Sequence, residues 1–325
     1  MNRGYIFIFL ATVFFSSMEV ALKTVAHDFN PMQLNCTRFL VGGLLLIPFA
    51  LRGLRQHGAR VTAAAWKGFA WLGFVGLVVS MMFYQMSILY APASVVSVLF
   101  SCNPVLVLAF AYLILRADIR PQHITALVME VAAALIIIID PLHTTLDPVG
   151  ITLVLLSAAT FALYAVLGKK QCTQYSGVAV TCFSCLAASA EMIVLMLISH
   201  IPAVADALQA AGLPMFAAMP FFSGYTTGNL LNVLYICVFV TAGGYACYFM
   251  GMEATSAMQG SLVFFFKPVL APILAMLILG EEIPWNMWAG IGLMLVASEV
   301  SMIPTWETLL SVRPFIIDRI LHRRH

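Results

Sequence analysis

Charge is scarce in this chain. Only 9% of its 325 residues are Asp, Glu, Lys or Arg, against about 25% in an ordinary soluble domain. A water-facing surface cannot be assembled from so few ionised groups, so most of the exterior must meet lipid. The formal net charge is +2 and no basic patch stands out, which excludes a nucleic-acid partner of the usual electrostatic kind. Enzyme signatures are also missing. There is no H-E-x-x-H, no G-x-S-x-G, no G-x-x-x-x-G-K and no pair of aspartates, so the sequence offers no catalytic constellation and predicts no cofactor. The seven cysteines are odd in number and lie mostly in apolar runs, which is not a disulfide framework. Cys182 and Cys185 form a C-x-x-C without a second pair and read as packing. His27, His57, His143, His322 and His325 fall in loops or the tail, with His123 and His200 at span ends, which argues against a buried metal site.

What is abundant is apolar sequence, 62% of the chain. A membrane-spanning helix needs about 20 mostly apolar residues. Ten segments meet that requirement, at about 4–26, 31–51, 65–89, 92–115, 121–139, 148–168, 176–200, 230–252, 255–279 and 284–304. Turn and charge signals separate them, as at Arg52–Arg60, Arg116–Pro121 and Glu281–Pro284. Met1–Asn2–Arg3 precedes an apolar stretch, but Glu19 and Lys23 stand where small cleavage-site residues would be needed, so the first segment reads as a retained span. With the N-terminus in the cytoplasm and strict alternation, thirteen of the sixteen Lys and Arg fall on the inner side and only Lys23 falls outside, while Arg38 and Lys267 lie within spans. Both termini then come out cytoplasmic. The long segment 201–229 becomes external. The tail at 306–325 becomes a basic inner segment, able to lie on the leaflet.

The chain also repeats itself. NPVLVLAFAYLIL at 103–115 matches KPVLAPILAMLIL at 267–279 with an offset of 164, which also pairs Tyr84 with Tyr248, Met86 with Met250 and Asp118 with Glu282. Nearer the front, an offset of 146 pairs Gly4 with Gly150, Leu10 with Leu156, Phe15 with Phe161, Val20 with Val166 and Lys23 with Lys169. Each unit has five spans, an odd number, so the second copy must run upside-down relative to the first. The predicted architecture is therefore all-α, with ten transmembrane helices in two inverted five-helix repeats, 1–140 and 141–305. Inverted repeats of this kind belong to secondary transporters, which hold their substrate near mid-membrane between the repeats.

These features resemble the drug/metabolite transporter superfamily, and its EamA-type family most closely. The resemblance rests on two five-span halves, the Asn103–Pro104–Val105–Leu106 and Lys267–Pro268–Val269–Leu270 elements in the fourth helix of each, the closing Glu281–Glu282, and Arg38–Phe39 in the second span. It covers about residues 4–303. One departure is the Ser16–Ser17–Met18–Glu19 stretch, which stands where many members have Trp-Gly near the middle of the first span. The resemblance implies a carrier of amino acids, other small metabolites or drugs, often in the export direction.

Charged groups inside the spans need an explanation, since each costs about 2.5–3.5 kcal/mol on insertion scales. Lys267 lies deepest. Pro268 follows it and Pro104 follows Asn103, so both helices are expected to break there, freeing the carbonyls of Phe264 and Phe100. A polar side chain at each break suits a substrate site. The expected lining is Lys267, Asn103, Glu19, Tyr84, Tyr248, Tyr164 and Gln85, with Tyr245 nearby. Glu19 and Arg38 have matching depths on adjacent antiparallel helices. They read as an ion pair, structural or gating, while the alternative joins Glu19 to Lys267. Glu19 and Glu130 are candidate proton sites, although inward hydrogen bonding to another helix is the plainer reading of Glu130. Glu191 and Glu299 have no counterpart in the other repeat.

The expected function is transport of a small polar metabolite, an amino acid or related organic ion, by alternating access in a bacterial inner membrane. The alternatives are a multidrug exporter for cationic compounds and a non-transporting membrane protein. A small-molecule substrate and the bilayer are the expected partners, with the chain a monomer or homodimer.

Overall fold

The computed structural model describes residues 3–116, 121–138, 147–260 and 262–302. The loop at 139–146, Asp118 and the basic tail at 306–325 lie outside these residues. Helices form all the regular structure among them. In chain order these are α1 (Arg3–Ser16), α2 (Met18–Lys23), α3 (Pro31–Gln56), α4 (Ala63–Gly73), α5 (Ser80–Tyr90), α6 (Ala93–Phe100), α7 (Asn103–Leu115) and α8 (Pro121–Ile138). Then follow α9 (Pro148–Tyr175), α10 (Gly177–Ser199), α11 (Pro202–Ala210), α12 (Leu230–Tyr235), α13 (Ala246–Ala254), α14 (Ala257–Gly260), α15 (Val263–Leu279) and α16 (Trp285–Met302). Wider π-helical turns, Phe74–Val79 and Ile236–Tyr245, join α4 to α5 and α12 to α13.

The helix starts follow from local chemistry. Asn30, Thr62, Asp147 and Ser176 each accept a backbone N–H of the helix that follows, which satisfies one of its orphan donors. Pro31, Pro148 and Pro202 occupy first-turn positions where no N–H is needed. The helices are apolar almost all round, and large side chains such as Phe9, Leu113, Val128, Phe266 and Leu277 point outward. That is the pattern of helices solvated by hydrocarbon.

Among the described residues seven helices are long and apolar enough to cross a membrane: Arg3–Lys23, Pro31–Gln56, Ala63–Tyr90, Ala93–Leu115, Pro148–Tyr175, Gly177–Ser199 and Leu230–Ala254. Where the other three spans are expected lie apolar helices shorter than that criterion, Ile124–Ile137, Phe266–Leu279 and Trp285–Ala297.

Two expectations about proline need correction. Pro268 does not break its helix, because α15 runs unbroken through both Pro268 and Pro272. The interruption lies earlier, between α14 and α15, where Leu262 N–H turns back to the Gln259 carbonyl. In the other half Pro104 sits in the first turn of α7, and the break is the turn at Ser101–Cys102 just before it. Each proline thus lies on the C-terminal side of an interruption. Pro104, in the first turn of α7, has no intrahelical N–H bond to lose, whereas Pro268, the sixth residue of α15, leaves the Phe264 carbonyl without its helical partner.

Polar contacts gather at two ends of the bundle. At one end Lys23 Nζ donates to the carbonyls of Ile88 (2.5 Å) and Ala91 (3.1 Å). There Glu281 accepts from Ala93 N–H (2.8 Å), Ser94 N–H (2.9 Å) and Ser94 Oγ (2.6 Å). At the other end Lys169 Nζ donates to the carbonyls of Met252, Glu253 and Thr255. The Glu253 carboxylate there accepts from Gly177 N–H and lies 3.1 Å from His57 Nε2. The 201–229 segment packs onto the first end. Gly224 adopts φ +85° there, and a Cβ on it would stand 2.1 Å from the Asp28 carbonyl, so only glycine fits.

Candidate functional site

Glu19 is on α2, Tyr84 on α5 and Lys267 on α15, and the bundle brings all three together. Lys267 Nζ lies 2.5 Å from Glu19 Oε1, with both side chains fully buried. The Tyr84 hydroxyl donates to the same carboxylate oxygen and stands 3.5 Å from Lys267 Nζ. The ammonium also faces aromatic rings, with Phe100 at 4.7 Å, Tyr84 at 5.5 Å and Phe264 at 5.8 Å from the ring centres. Glu19 Oε2 is buried with no hydrogen-bond partner. The pair is therefore charge-balanced but leaves one acceptor unused.

The Arg38–Glu19 pair expected from matching depths is not formed. Glu19 turns to Lys267 and Tyr84 instead. Arg38 is fully buried on α3, donating from Nε to Asn35 Oδ1 at 2.9 Å and from Nη1 toward Met18 Sδ at 3.8 Å. Its guanidinium lies 4.6 Å over the Phe39 ring. Equal depth places two groups at one level of the membrane but not on facing surfaces, and helix rotation decided the partner.

The other expected residues divide. Asn103 is buried and donates from Nδ2 to the Ala158 carbonyl at 2.9 Å, leaving Oδ1 unpartnered. Tyr248 is buried with its hydroxyl unpartnered, and Gln85 keeps an unpartnered Oε1. The offset of 164 that pairs Tyr84 with Tyr248 also pairs Asn103 with Lys267, and the offset of 146 at the front of each half pairs Glu19 with Ala165. The position equivalent to the carboxylate is thus an alanine, so the Tyr248 hydroxyl has nothing to bind where Tyr84 binds Glu19. Tyr164 is fully buried within the same aromatic cluster. Glu130 lies apart from Lys267. Its carboxyl meets the Val105 backbone N–H at the start of α7 and keeps Oε2 unpartnered. Glu191 is half-buried and Glu299 is exposed.

The sequence did not foretell the aromatic wall. Phe100 and Phe264, equivalent by the same offset, meet edge to face at 5.7 Å. Phe161 touches both, at 5.4 and 5.9 Å. Tyr245 lies between Phe15 (5.1 Å) and Phe39 (5.7 Å). Phenylalanine carries no positional signal in a chain where every span is apolar. Glu281 was visible only as an acid closing a helix. Its three hydrogen bonds to the start of α6 predict that Glu281→Ala lowers stability by about 1–3 kcal/mol, since an ionised acceptor serving two helix N–H groups is lost. Thermal unfolding in detergent measures this, and an unchanged midpoint would show that water replaces the carboxylate.

Among the described residues no group of three or more His, Cys, Asp or Glu is placed to hold a metal. The geometry offers a lipid-solvated helical bundle enclosing an ammonium–carboxylate–phenol triad, unused acceptors and aromatic walls. Such an arrangement suits the recognition and release of a small solute, as a transporter requires.

The comparisons agree. The EamA-like transporter family model matches residues 2–139 and again 148–302, and the chain belongs to that family. It is a multi-pass membrane protein of a transporter family, not an enzyme, and its partners are a small-molecule substrate and the bilayer. An uncharacterized transporter of Clostridium kluyveri is 31% identical over 308 residues, covering 93% of each chain. An uncharacterized transporter of Archaeoglobus fulgidus is 23% identical over 90% of this chain and 96% of its own. A protein solved by crystallography superimposes with a TM-score of 0.68 at 17% identity, over 93% of this chain and 97% of that one, which supports the fold.

Proposed function

We propose that this chain is a secondary carrier that moves a small polar metabolite, an amino acid or related organic ion, across a bacterial inner membrane by alternating access, in the export direction. Ten spans in two inverted five-helix halves would place both termini in the cytoplasm and the substrate between Lys267 and Asn103. The halves would rock around that centre, working as a monomer or homodimer. The observation that carries the reading is the fully buried Lys267–Glu19–Tyr84 triad. A charge pair removed from water is a poor stabiliser compared with apolar side chains of the same volume, so its presence at the core of an apolar bundle points to use.

The paired contacts of Lys23 and Lys169 support the inverted arrangement. Their carbonyl partners, 88 and 91 for one and 252 and 255 for the other, are related by the same offset of 164. Lys267 and Arg38 disfavour the cationic-drug alternative, since both would repel such a cargo.

Purified protein in liposomes, challenged with labelled metabolites, is expected to show saturable flux that Lys267→Ala reduces by at least about 100-fold, in line with loss of a buried charged binding group. Saturable flux at the wild-type rate in that variant would remove Lys267 from the site.

A further inference from the structure

Arg38 has no anion. Among the described residues only two ion pairs form, Lys267 with Glu19 and His57 with Glu253, and neither involves the guanidinium. The groups around it are Asn35, Met18 and Phe39, with Tyr245, Tyr84, Cys237 and Cys185, all of them neutral side chains. One of its five donors reaches an amide oxygen, another faces a thioether, and Nη2 reaches nothing. Arginine cannot discharge itself by losing its proton. The bundle centre therefore holds the Lys267–Glu19 pair, neutral as a unit, and one fixed cation, an excess of one positive charge in a hydrocarbon setting where an unpaired ion is strongly disfavoured.

A second unsatisfied group lies on the facing element. Thr241 is fully buried and its hydroxyl has no partner. It stands in the π-helical turn Ile236–Tyr245, one turn from both Cys237 and Tyr245, and its methyl packs on Gly42, one turn along α3 from Arg38. Such wide turns recur at functional places in helices. The guanidinium and this hydroxyl thus border the seam between α3 and the π-helical turn, beside the rings of Phe39, Tyr245 and Phe15.

We infer that Arg38 receives the carboxylate of an organic monoanion whose apolar or aromatic body rests on Phe39, Tyr245 and Phe15. This deepens the carrier reading and rests on it. A planar two-oxygen anion matches the guanidinium fork, and its single negative charge closes the balance that Glu19 leaves open. A zwitterion adds no net charge and would leave the centre positive. A phosphate monoester at its usual charge would overshoot.

The test uses full-length protein in proteoliposomes and detergent, with 3-phenylpropionate, its primary amide, phenylalanine and phenyl phosphate as probes. The carboxylate is expected to bind at least about tenfold more tightly than the amide, by thermal shift and by flux, because only the anion answers the fork. Arg38→Met is expected to weaken carboxylate binding by about 100-fold or more, and Arg38→Lys, which keeps the charge without the fork, by about tenfold. Arg38→Met should also unfold no more readily than wild type without ligand, since it removes an unpaired buried charge. A purely structural arginine would give the opposite. Arg38→Lys guards against misfolding of the methionine variant. Equal binding of amide and carboxylate, tighter binding of phenylalanine or phenyl phosphate, or wild-type carboxylate binding in Arg38→Met each overturns the assignment. If Arg38→Met transports normally while Lys267→Ala does not, only the arginine assignment fails. If neither variant alters flux, the central-site reading fails as well.

Discussion

Lys267→Met is expected to leave the protein both inactive and unstable, and the two defects can be separated. Removing the ammonium strands a fully buried carboxylate that otherwise lies 2.5 Å from it. Breaking a buried pair from one side costs about 3–5 kcal/mol. Glu19→Gln in the same chain removes the stranded charge and leaves the Tyr84 hydroxyl an amide oxygen to meet. The double variant is therefore expected to regain most of the lost stability, by thermal unfolding in detergent, while its flux stays at background. A double variant as unstable as the single one would show that the pair is not an isolated electrostatic unit. Recovery of transport together with stability would show that the triad only holds the fold.

The second large effect is steric. Gly177 opens α10, and a methyl on it would stand 2.5 Å from the Phe249 carbonyl carbon and 2.6 Å from Met250 N on α13. Those atoms belong to a helix backbone and cannot swing aside like a side chain. Gly177→Ala must push α10 from α13 and pull the Gly177 N–H from the Glu253 carboxylate that accepts it. Overpacking costs about 1–3 kcal/mol, and loss of the charged cap adds about 1–2 kcal/mol. An expected fall of about 3 kcal/mol or more in detergent stability follows from the two together. A midpoint within a degree of wild type would mean that the two helices separate freely at this end.

Much of the architecture was legible because lipid solvation writes itself in long apolar runs, and turns in Pro, Gly and charge. The segments at 31–51 and 148–168 anticipate α3 and α9 closely at their starts, where Asn30 and Asp147 cap. The break positions were less legible. Pro104 and Pro268 are visible letters, but Pro268 lies within a continuous α15, and the interruption falls before that helix begins at Val263. The site divided in the same way. Lys267 and Glu19 could be picked out because a charge in a span is rare, and Tyr84 because it repeats. Their mutual arrangement depended on helix rotation, which an all-round apolar sequence does not encode. That is why depth alone pairs Arg38 with Glu19 when the carboxylate in fact meets Lys267, and why the convergence of Phe100, Phe161 and Phe264 has no sequence signal.

The lysines at the two ends have a mechanical consequence. Each holds the joint between two helices by charge-assisted bonds to main-chain oxygens, and each set uses corresponding atoms. A machine with the same bolt on both doors has little built-in bias toward either. Under the proposed carrier reading its resting position would sit close to balance, and export would draw on a solute more concentrated in the cytoplasm rather than on any ratchet in the protein itself.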